Sequence, residues 1–411
     1  MKRYVFFALV GLGFCLVLAA CAKPPAPVSA PVPVLEEVPR QTTGPVLERV
    51  LDAGLPEFAD DSAKEPLKSA LAFSLEYYGR LDPKRQLDFG GENVSVKRVM
   101  DSLKTFGALL DQDLSPRDFS QKVKELFTVY RCKGEDGDGK MLFTGYYEPV
   151  IRASREKSLA YPYPIYRVPD DVVTVNLGQF SEKCAGDRIV GRVDGKALVP
   201  YWTREDIDGR CKLAGRGLEA AWAADLVDVF FLHIQGSGRL LFEDGTSLHV
   251  NYAGENGRAY KSIGSLLIQE GRIPKEQMSM QCLRAWLESN PDQRARVLNH
   301  NPSYVFFRLS EKGPFGCAGV PVTPGRSVAL DKRLFPLGAL AYVRTKKPVM
   351  DAKGDIAAWE DMNRFVLDQD TGGAIRGPGR LDFFWGSGDY AQAAAGYARH
   401  PGELYFLILK N

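Results

Sequence analysis

Asp368-Gln369-Asp370-Thr371-Gly372-Gly373-Ala374-Ile375-Arg376-Gly377 lies near the C-terminus, and Leu381-Asp382-Phe383-Phe384-Trp385-Gly386-Ser387-Gly388 follows it closely. Large apolar residues flank Asp382, so we expect a folded structure to remove water from its carboxyl group. An acid that keeps its proton near neutral pH is what a sugar-cleaving enzyme needs as its general acid. Asp382 is therefore the catalytic candidate, and the alternative is a buried aspartate that caps a turn at 386–388.

Two further aspartates follow predicted strands in the same region. Asp331 comes after the strand 328–330, and Asp370 comes after the strand 364–367. Three aspartates at strand ends can meet at one mouth of a small barrel. The residues beside Asp370 and Asp331 are more typical of turn-forming and charged structural roles, so we expect these two aspartates to support Asp382.

The N-terminus has the pattern of a secretion signal, with Lys2 and Arg3 before an uncharged apolar run. The end of this run, Leu18-Ala19-Ala20-Cys21, resembles the lipobox of bacterial lipoproteins. We expect a signal peptide at 1–20 and lipidation of Cys21. A plain signal peptide or a single transmembrane anchor is the alternative.

The segment 21–48 is rich in proline and predicts an extended tether. In polyproline conformation its proline-rich residues 22–45 would reach up to ~70 Å from a membrane. Ala22 follows the cysteine, which resembles the outer-membrane sorting signal. The expected location is therefore the periplasmic face of the outer membrane, held by a lipid anchor.

Composition and motifs exclude several classes of function. The net charge is +2, and removal of Lys2 and Arg3 takes it to 0, which argues against nucleic acid as a partner. No histidine pair has metal-ligand spacing, and no nucleophile elbow or phosphate loop is present. We expect no metal and no cofactor. The body carries an odd number of cysteines, and we expect a Cys184–Cys211 bridge among several open pairings.

Periodicity predicts a mixture of helices and short strands. Helices are expected at 67–78, 96–110, 119–130, 260–270, 275–287, 292–300 and 390–399. Strands are expected at 142–147, 328–330, 340–344, 364–367, 381–385 and 404–409, with a hairpin of 238–242 and 247–251 around an Asp-Gly turn. Residues 218–226 are expected to be helical, and 229–234 a buried strand that contains a hydrogen-bonded His233.

Several motifs together resemble one family. Asp331, Asp370 and Asp382 in their local patterns look like the three-aspartate domain of bacterial cell-wall enzymes. Phe143–Pro149, Asp228–Gly238, Asn251–Tyr260 and Asn301–Phe307 narrow the likeness to the membrane-bound lytic murein transglycosylase A family. The likeness covers most of residues 60–411.

The resemblance implies a mainly β fold with helices. Family members have a double-psi β-barrel, a smaller inserted β-barrel domain, and a groove between the two. Here the first domain would be 49–148 plus 312–411, with its three-aspartate region at about 325–411. The insertion would be 149–311.

The resemblance also implies an activity, that of a peptidoglycan lytic exotransglycosylase of the lyase type. Such enzymes cleave the β-1,4 bond between N-acetylmuramic acid and N-acetylglucosamine and leave 1,6-anhydromuramyl products. Asp382 would be the general acid and then the base, with Asp370 and Asp331 in support. The implied partners are peptidoglycan glycan strands and other cell-wall proteins. Residues expected to bind the glycan are Thr144, Gly145, Tyr146, Tyr147, Gln235, Ser237, Tyr252 and Trp385.

Two alternatives stay open at this point. One is a glycan-binding lipoprotein without turnover, and the other is an ordinary glycosidase that releases reducing ends. The sequence also leaves open whether cleavage occurs within glycan strands or from their ends.

Overall fold

The computed structural model describes residues 44–185 and 187–411. The predicted signal peptide, Cys21 and most of the tether lie outside these residues. In the described ranges, no helix combines the length and the apolar character that a membrane crossing needs.

The helices are α1 (Lys64–Gly79), α2 (Val96–Leu110), α3 (Pro116–Leu126), α4 (Leu226–Gln235), α5 (Ile263–Gln269), α6 (Met280–Ser289), α7 (Pro291–Asn299) and α8 (Asp389–Tyr397). The strands are β1 (Leu47–Arg49), β2 (Gln86–Phe89), β3 (Glu92–Ser95), β4 (Phe127–Cys132), β5 (Met141–Glu148), β6 (Val150–Ser154), β7 (Tyr163–Tyr166), β8 (Val173–Asn176), β9 (Arg188–Asp194), β10 (Ala197–Pro200), β11 (Glu219–Ala223), β12 (Ser237–Phe242), β13 (Ser247–Glu255), β14 (Val305–Ser310), β15 (Ser327–Ala329), β16 (Leu340–Met350), β17 (Ile356–Asp370), β18 (Arg380–Ser387) and β19 (His400–Leu409).

Six strands close into a barrel. Their order is β19-β16-β17-β15-β18-β5, and β5 pairs back onto β19. The pairs β15–β17 and β18–β5 are parallel, whereas β16 is antiparallel to both of its neighbours. β4 and β1 continue outward from β19. Closure leaves the ring itself without free edges.

Helices α1, α2 and α3 cover the barrel. Apolar side chains recur along one side of α2, and they pack against the barrel core. Phe106 of α2 contacts Phe365 of β17 with ring centroids 4.7 Å apart. α2 spans the predicted residues, whereas α3 ends at Leu126, so the predicted helix 119–130 was too long.

A second, six-stranded sheet lies between β5 and β15 in the chain, in the order β14-β13-β12-β6-β11-β7. The predicted hairpin forms β12 and β13, and Gly245 takes a φ of 77° at its turn. Edge strands β7 and β14 contribute Tyr166 and Phe306 to one aromatic cluster, which curls the sheet towards itself. Helices α4 to α7 pack together beside it.

The prediction for 218–234 is wrong. Residues Glu219–Ala223 form β11, and Leu226–Gln235 form helix α4. The Asp225 side chain accepts a hydrogen bond from the Val227 N–H at 2.7 Å, and Gly236 ends the helix with a φ of 75°. His233 therefore lies in a helix. Its ring stacks on Phe307, and neither ring nitrogen has a hydrogen-bond partner among the described residues.

The predicted disulfide is also wrong. Cys184 and Cys211 are both free thiols, as are the other body cysteines Cys132, Cys282 and Cys317.

Candidate active site

The three aspartates lie around one short strand, β15. Its Ala329 pairs with Asp382 of β18 on one side and with Asp370 of β17 on the other. Because neighbouring strands lie about 4.8 Å apart, the Cα atoms of Asp370 and Asp382 are about 10 Å apart. Asp331 follows the end of the same strand.

Polar groups surround the carboxyl of Asp382. The Thr144 hydroxyl donates to its Oδ1, and Arg380 donates from Nε to Oδ1 at 3.1 Å and from Nη2 to Oδ2 at 3.3 Å. The expected apolar surroundings are present only in part, because alternate residues of a strand point to opposite faces and only Phe384 shares the face of Asp382. Leu381 and Phe383 are buried on the other face, while the Asp382 side chain keeps 15% exposure.

The carboxyl of Asp370 accepts three hydrogen bonds. Its Oδ1 accepts the N–H groups of Thr371 at 2.8 Å and Cys317 at 2.9 Å, and its Oδ2 accepts the Tyr146 hydroxyl at 3.0 Å. Burial raises the pKa of Asp370 to about 6 despite these donors, and the nearby charge of Asp382 adds to the rise. Asp370 is therefore an acid that holds its proton into the weakly acidic range.

Asp331 has a different environment from the other two. Its carboxyl is 1% exposed and accepts Arg333 Nε at 2.9 Å and the Gly377 N–H at 3.0 Å. Burial raises the pKa of Asp331, but the hydrogen bonds from Arg333 and Gly377 outweigh it, so the net pKa is lowered. These bonds join the turn after β15 to the loop that precedes β18. The contacts of Asp331 are those of a structural residue.

A cavity of ≈ 570 Å³ opens beside Asp382. Thr144 and Arg380 line it, and both contact the Asp382 carboxyl. Glu276 to Ser279 form another wall, and the end of α8 with Ala398 and Arg399 forms a third. The cavity thus joins the barrel mouth to the segment that precedes α6.

The residues expected to bind sugar fall into two groups. Tyr146, Tyr147, Ser237 and Trp385 are more than nine-tenths buried and pack inside the protein. Gly145 lies under Trp385, and the Gln235 side chain accepts the Tyr147 N–H at 3.0 Å. Thr144 lines the cavity, and Tyr252 is 44% exposed.

Sequence reasoning missed Arg380. It lies two residues before Asp382 on β18, so both side chains point to the same face of the strand. That spacing was visible in the sequence and would have identified the ion pair once 380–387 was read as a strand.

In residues 44–185 and 187–411, no group of three or more His, Cys, Asp or Glu side chains is arranged to hold a metal ion. The chemistry that this site can perform is proton transfer by carboxyl groups next to a cavity lined with hydrogen-bonding groups.

Comparisons with known proteins give the same picture. The MltA specific insert domain matches residues 142–308, and the 3D domain matches residues 326–408. The membrane-bound lytic murein transglycosylase A of Vibrio cholerae is 34% identical over 281 residues, which is 68% of each chain. The Escherichia coli K12 protein of the same name is 33% identical over 282 residues, again 68% of each chain.

Solved structures agree with these relatives. A membrane-bound lytic murein transglycosylase from Agrobacterium tumefaciens is 31% identical, with a TM-score of 0.72 over 88% of this chain and 97% of that one. Escherichia coli MltA with bound chitohexaose is 26% identical, with a TM-score of 0.65 over 90% of this chain and 97% of that one. The predicted fold class, mainly β with a double-psi barrel, is confirmed. The chain belongs to the membrane-bound lytic murein transglycosylase A family.

Proposed function

We propose that Asp382 performs both proton transfers of a lytic transglycosylase reaction. As a member of its family, the chain is a lyase-type enzyme that cleaves the glycan strands of peptidoglycan. The bond cut is the β-1,4 bond between N-acetylmuramic acid and N-acetylglucosamine, and the product carries a 1,6-anhydro ring. The observation that carries the assignment is the Asp382 carboxyl, held by Thr144 and Arg380 at the cavity.

The reaction needs one acid that becomes a base. Asp382 gives its proton to the departing O4 of the glycosidic bond, and its carboxylate then takes the proton of the muramyl C6 hydroxyl. That hydroxyl attacks C1 of its own sugar, so its effective concentration is high. A hydrolase needs a second carboxyl, either to activate a water molecule or to attack the sugar covalently. Here Asp370 is occupied by three donors, which supports the one-carboxyl scheme.

Arg380 and Thr144 act as positioning residues. Two guanidinium nitrogens fix the plane of the Asp382 carboxyl, and the positive charge stabilises the carboxylate that remains after the first proton transfer. Thr144 holds Oδ1 from the neighbouring strand β5. Asp370 lies on β17, two strands from Asp382, and supports the site through its hydrogen bond with Tyr146.

The ligand is proposed to be a glycan strand in contact with Thr144 and Tyr252. The Escherichia coli relative was crystallised with chitohexaose, an oligosaccharide of linked amino sugars. Tyr252 offers an exposed aromatic face on β13, whereas Tyr146, Tyr147 and Trp385 support the site from within the core.

The domain division is proposed to be 49–148 with 312–411 for the barrel and 149–311 for the insertion. The pairing register supports it. Val150 pairs with Arg239, Arg239 with His249, and His249 with Ser310. The two ends of the insertion therefore lie three strands apart, or roughly 14 Å.

Membrane association follows from the family. We propose that the lipid on Cys21 provides it and that the protein faces the periplasm from the outer membrane. The sequence before and after Cys21 supports this location.

The mass of the products tests the reaction. Purified murein is digested with the protein, and the soluble fragments are analysed by mass spectrometry. We expect anhydro-muropeptides, each lighter by one water than the fragment that a hydrolase would release. Fragments with reducing ends would show a glycosidase instead, and glycan binding without fragments would show a binding protein.

A further inference from the structure

A small three-stranded sheet has one apolar face that is largely exposed on β9 and β10 and half-buried on β8. Its order is β10-β9-β8. The pairs Val175–Ile189, Val173–Gly191 and Leu198–Val193 place alternate residues on a common side. We call this side the outer face, and its side chains are Val173, Val175, Ile189, Val193, Leu198 and Pro200.

The outer face is exposed as well as apolar. Ile189 is 44% exposed, Val193 is 64% exposed and Leu198 is 41% exposed. Single apolar residues are common on protein surfaces, but a contiguous apolar group marks a contact with a partner or a membrane.

The opposite face of the same sheet packs against the rest of the insertion at Val190 and Arg192 of β9. The Arg192 guanidinium lies over the Trp202 ring at 3.8 Å from its centre. Val190 lies so near Gly257 that a Cβ on this glycine would be 2.5 Å from the Val190 Cβ. The sheet is therefore fixed on one side, and the outer face points away from this packing.

The orientation also turns the outer face away from the strand of the proposed glycan contact. Val190, on the packed face of β9, lies against Gly257, which closely follows β13. Tyr252 is a residue of β13. The strand that carries the proposed glycan contact therefore lies on the packed side of the sheet.

We propose that the outer face docks on the lipid bilayer to which the protein is bound. Relatives of this chain are membrane-bound proteins. In polyproline conformation, residues 22–45 would reach up to ~70 Å, which exceeds the roughly 50 Å diameter of a body of this size, so such a tether would allow any face to meet the membrane. The face that gains most from leaving water is the apolar one.

Charges of both signs flank the strands in the sequence: Lys183, Arg188 and Lys196 are positive, and Glu182 and Asp187 are negative. Docking therefore depends on apolar burial, and it should not change with the anionic lipid content of the vesicles or with salt.

Tryptophan quenching tests the proposal on the full lipid-bearing chain. Val193→Trp places a probe on the outer face. Asp194→Trp is the matched control, because Asp194 is the next residue of β9, has a side chain 61% exposed, and points to the other side. Each variant is inserted into phosphatidylethanolamine vesicles, with and without phosphatidylglycerol, whose acyl chains are partly brominated. The emission of the wild-type protein is subtracted.

We expect bromine to quench the emission added at position 193 and to leave the emission added at position 194 unchanged, at every phosphatidylglycerol content. Equal quenching at both positions, or none at 193, would overturn the proposal. Quenching that appears only with phosphatidylglycerol would overturn the apolar basis of docking. A second copy of the chain on the outer face would leave position 193 unquenched and give a dimer in detergent that Val193→Asp dissociates. Leu198→Trp repeats the measurement if the first variant does not fold.

Discussion

The Asp382 carboxyl receives three donors from two strands, and this arrangement sets the geometry of its proton transfers. Thr144 reaches it from β5, and Arg380 reaches it from β18, the strand that carries Asp382 itself. These two residues fix the carboxyl, and both of them line the cavity.

Asp382→Asn should remove the transferable proton without changing the size of the side chain. General acid–base catalysis contributes ~10²–10⁴-fold, and one group serves both transfers here, so activity should fall at least ~10⁴-fold. Release of anhydro-muropeptides measures the loss, and binding to insoluble murein should persist. Asp361→Asn, at an exposed carboxyl on β17, is the control and should keep full activity. If Asp382→Asn still turned over at near-normal rates, Asp370 would be the next acid to test.

Asp370 should make stability depend on pH. Its pKa in the folded protein is about 6, above the ordinary value of 3.8. The stabilising contribution of its proton is complete below about pH 4 and is lost as pH rises through about 6, because the folded protein must then bury a charge.

Asp370→Asn should therefore be more stable than the wild-type protein above about pH 6, by at most ~3 kcal/mol, and the difference should disappear near pH 4. Denaturant unfolding at the two pH values measures it. A gain that is the same at both pH values would show that the charge of Asp370 is not its source.

How much of the site the sequence predicts is clearest at the residues themselves. The apolar neighbours of Asp382 indicated an important carboxyl, and the three aspartates do lie around one strand end. The adjacent residues Leu381 and Phe383 gave the wrong reason, since in a strand they pack on the other face. The close contact with Thr144 joins residues 238 positions apart, and no local pattern reports such a contact.

At the scale of elements, strand β5 must pass directly beneath Trp385. A Cβ at Gly145 would lie 2.4 Å from the Trp385 Nε1, which is too close for any side chain. Gly145→Ala should displace the indole and, with it, strand β18, which carries Asp382.

The cost of Gly145→Ala should be about 1–3 kcal/mol of unfolding free energy, with reduced turnover. Gly107→Ala is the control, because Gly107 lies inside α2 with open space around its Cβ. This second change should be neutral or stabilising by up to ~1 kcal/mol. Thermal or denaturant unfolding compares the two variants. Equal effects on stability would show that the close approach of Gly145 to Trp385 has no special role.

Helix α4 shows why some elements were predicted wrongly. Its apolar run, 226–234, is short and fully buried on several sides, and periodicity alone does not separate such a run from a buried strand. The deciding signals were the aspartate before the run and the glycine after it, which act as the two caps. Long amphipathic helices such as α2 have a clear period, and their predicted bounds agree with the structure.

For the whole molecule, the mode of attachment to the membrane can be tested at Cys21. Cys21→Ser should release the protein from washed membranes or block its processing, because lipid attachment needs this thiol. Cys211→Ser, at an exposed body cysteine, is the control and should change neither. Fractionation followed by mass measurement of the mature N-terminus reports both outcomes. Membrane retention of a normally cleaved Cys21→Ser protein would contradict lipidation.

The strand that closes the barrel, β19, has a consequence for synthesis of the protein. β19 follows β4, β5 and β16 in the chain and pairs with all three, so it joins early and late elements. A ribosome delivers the N-terminal elements first, so the nascent chain holds β4 and β5 without this partner until β19 has been made. The barrel can therefore close only after β19 has left the ribosome, and a truncation before residue 400 would leave β4, β5 and β16 each with an unpaired edge.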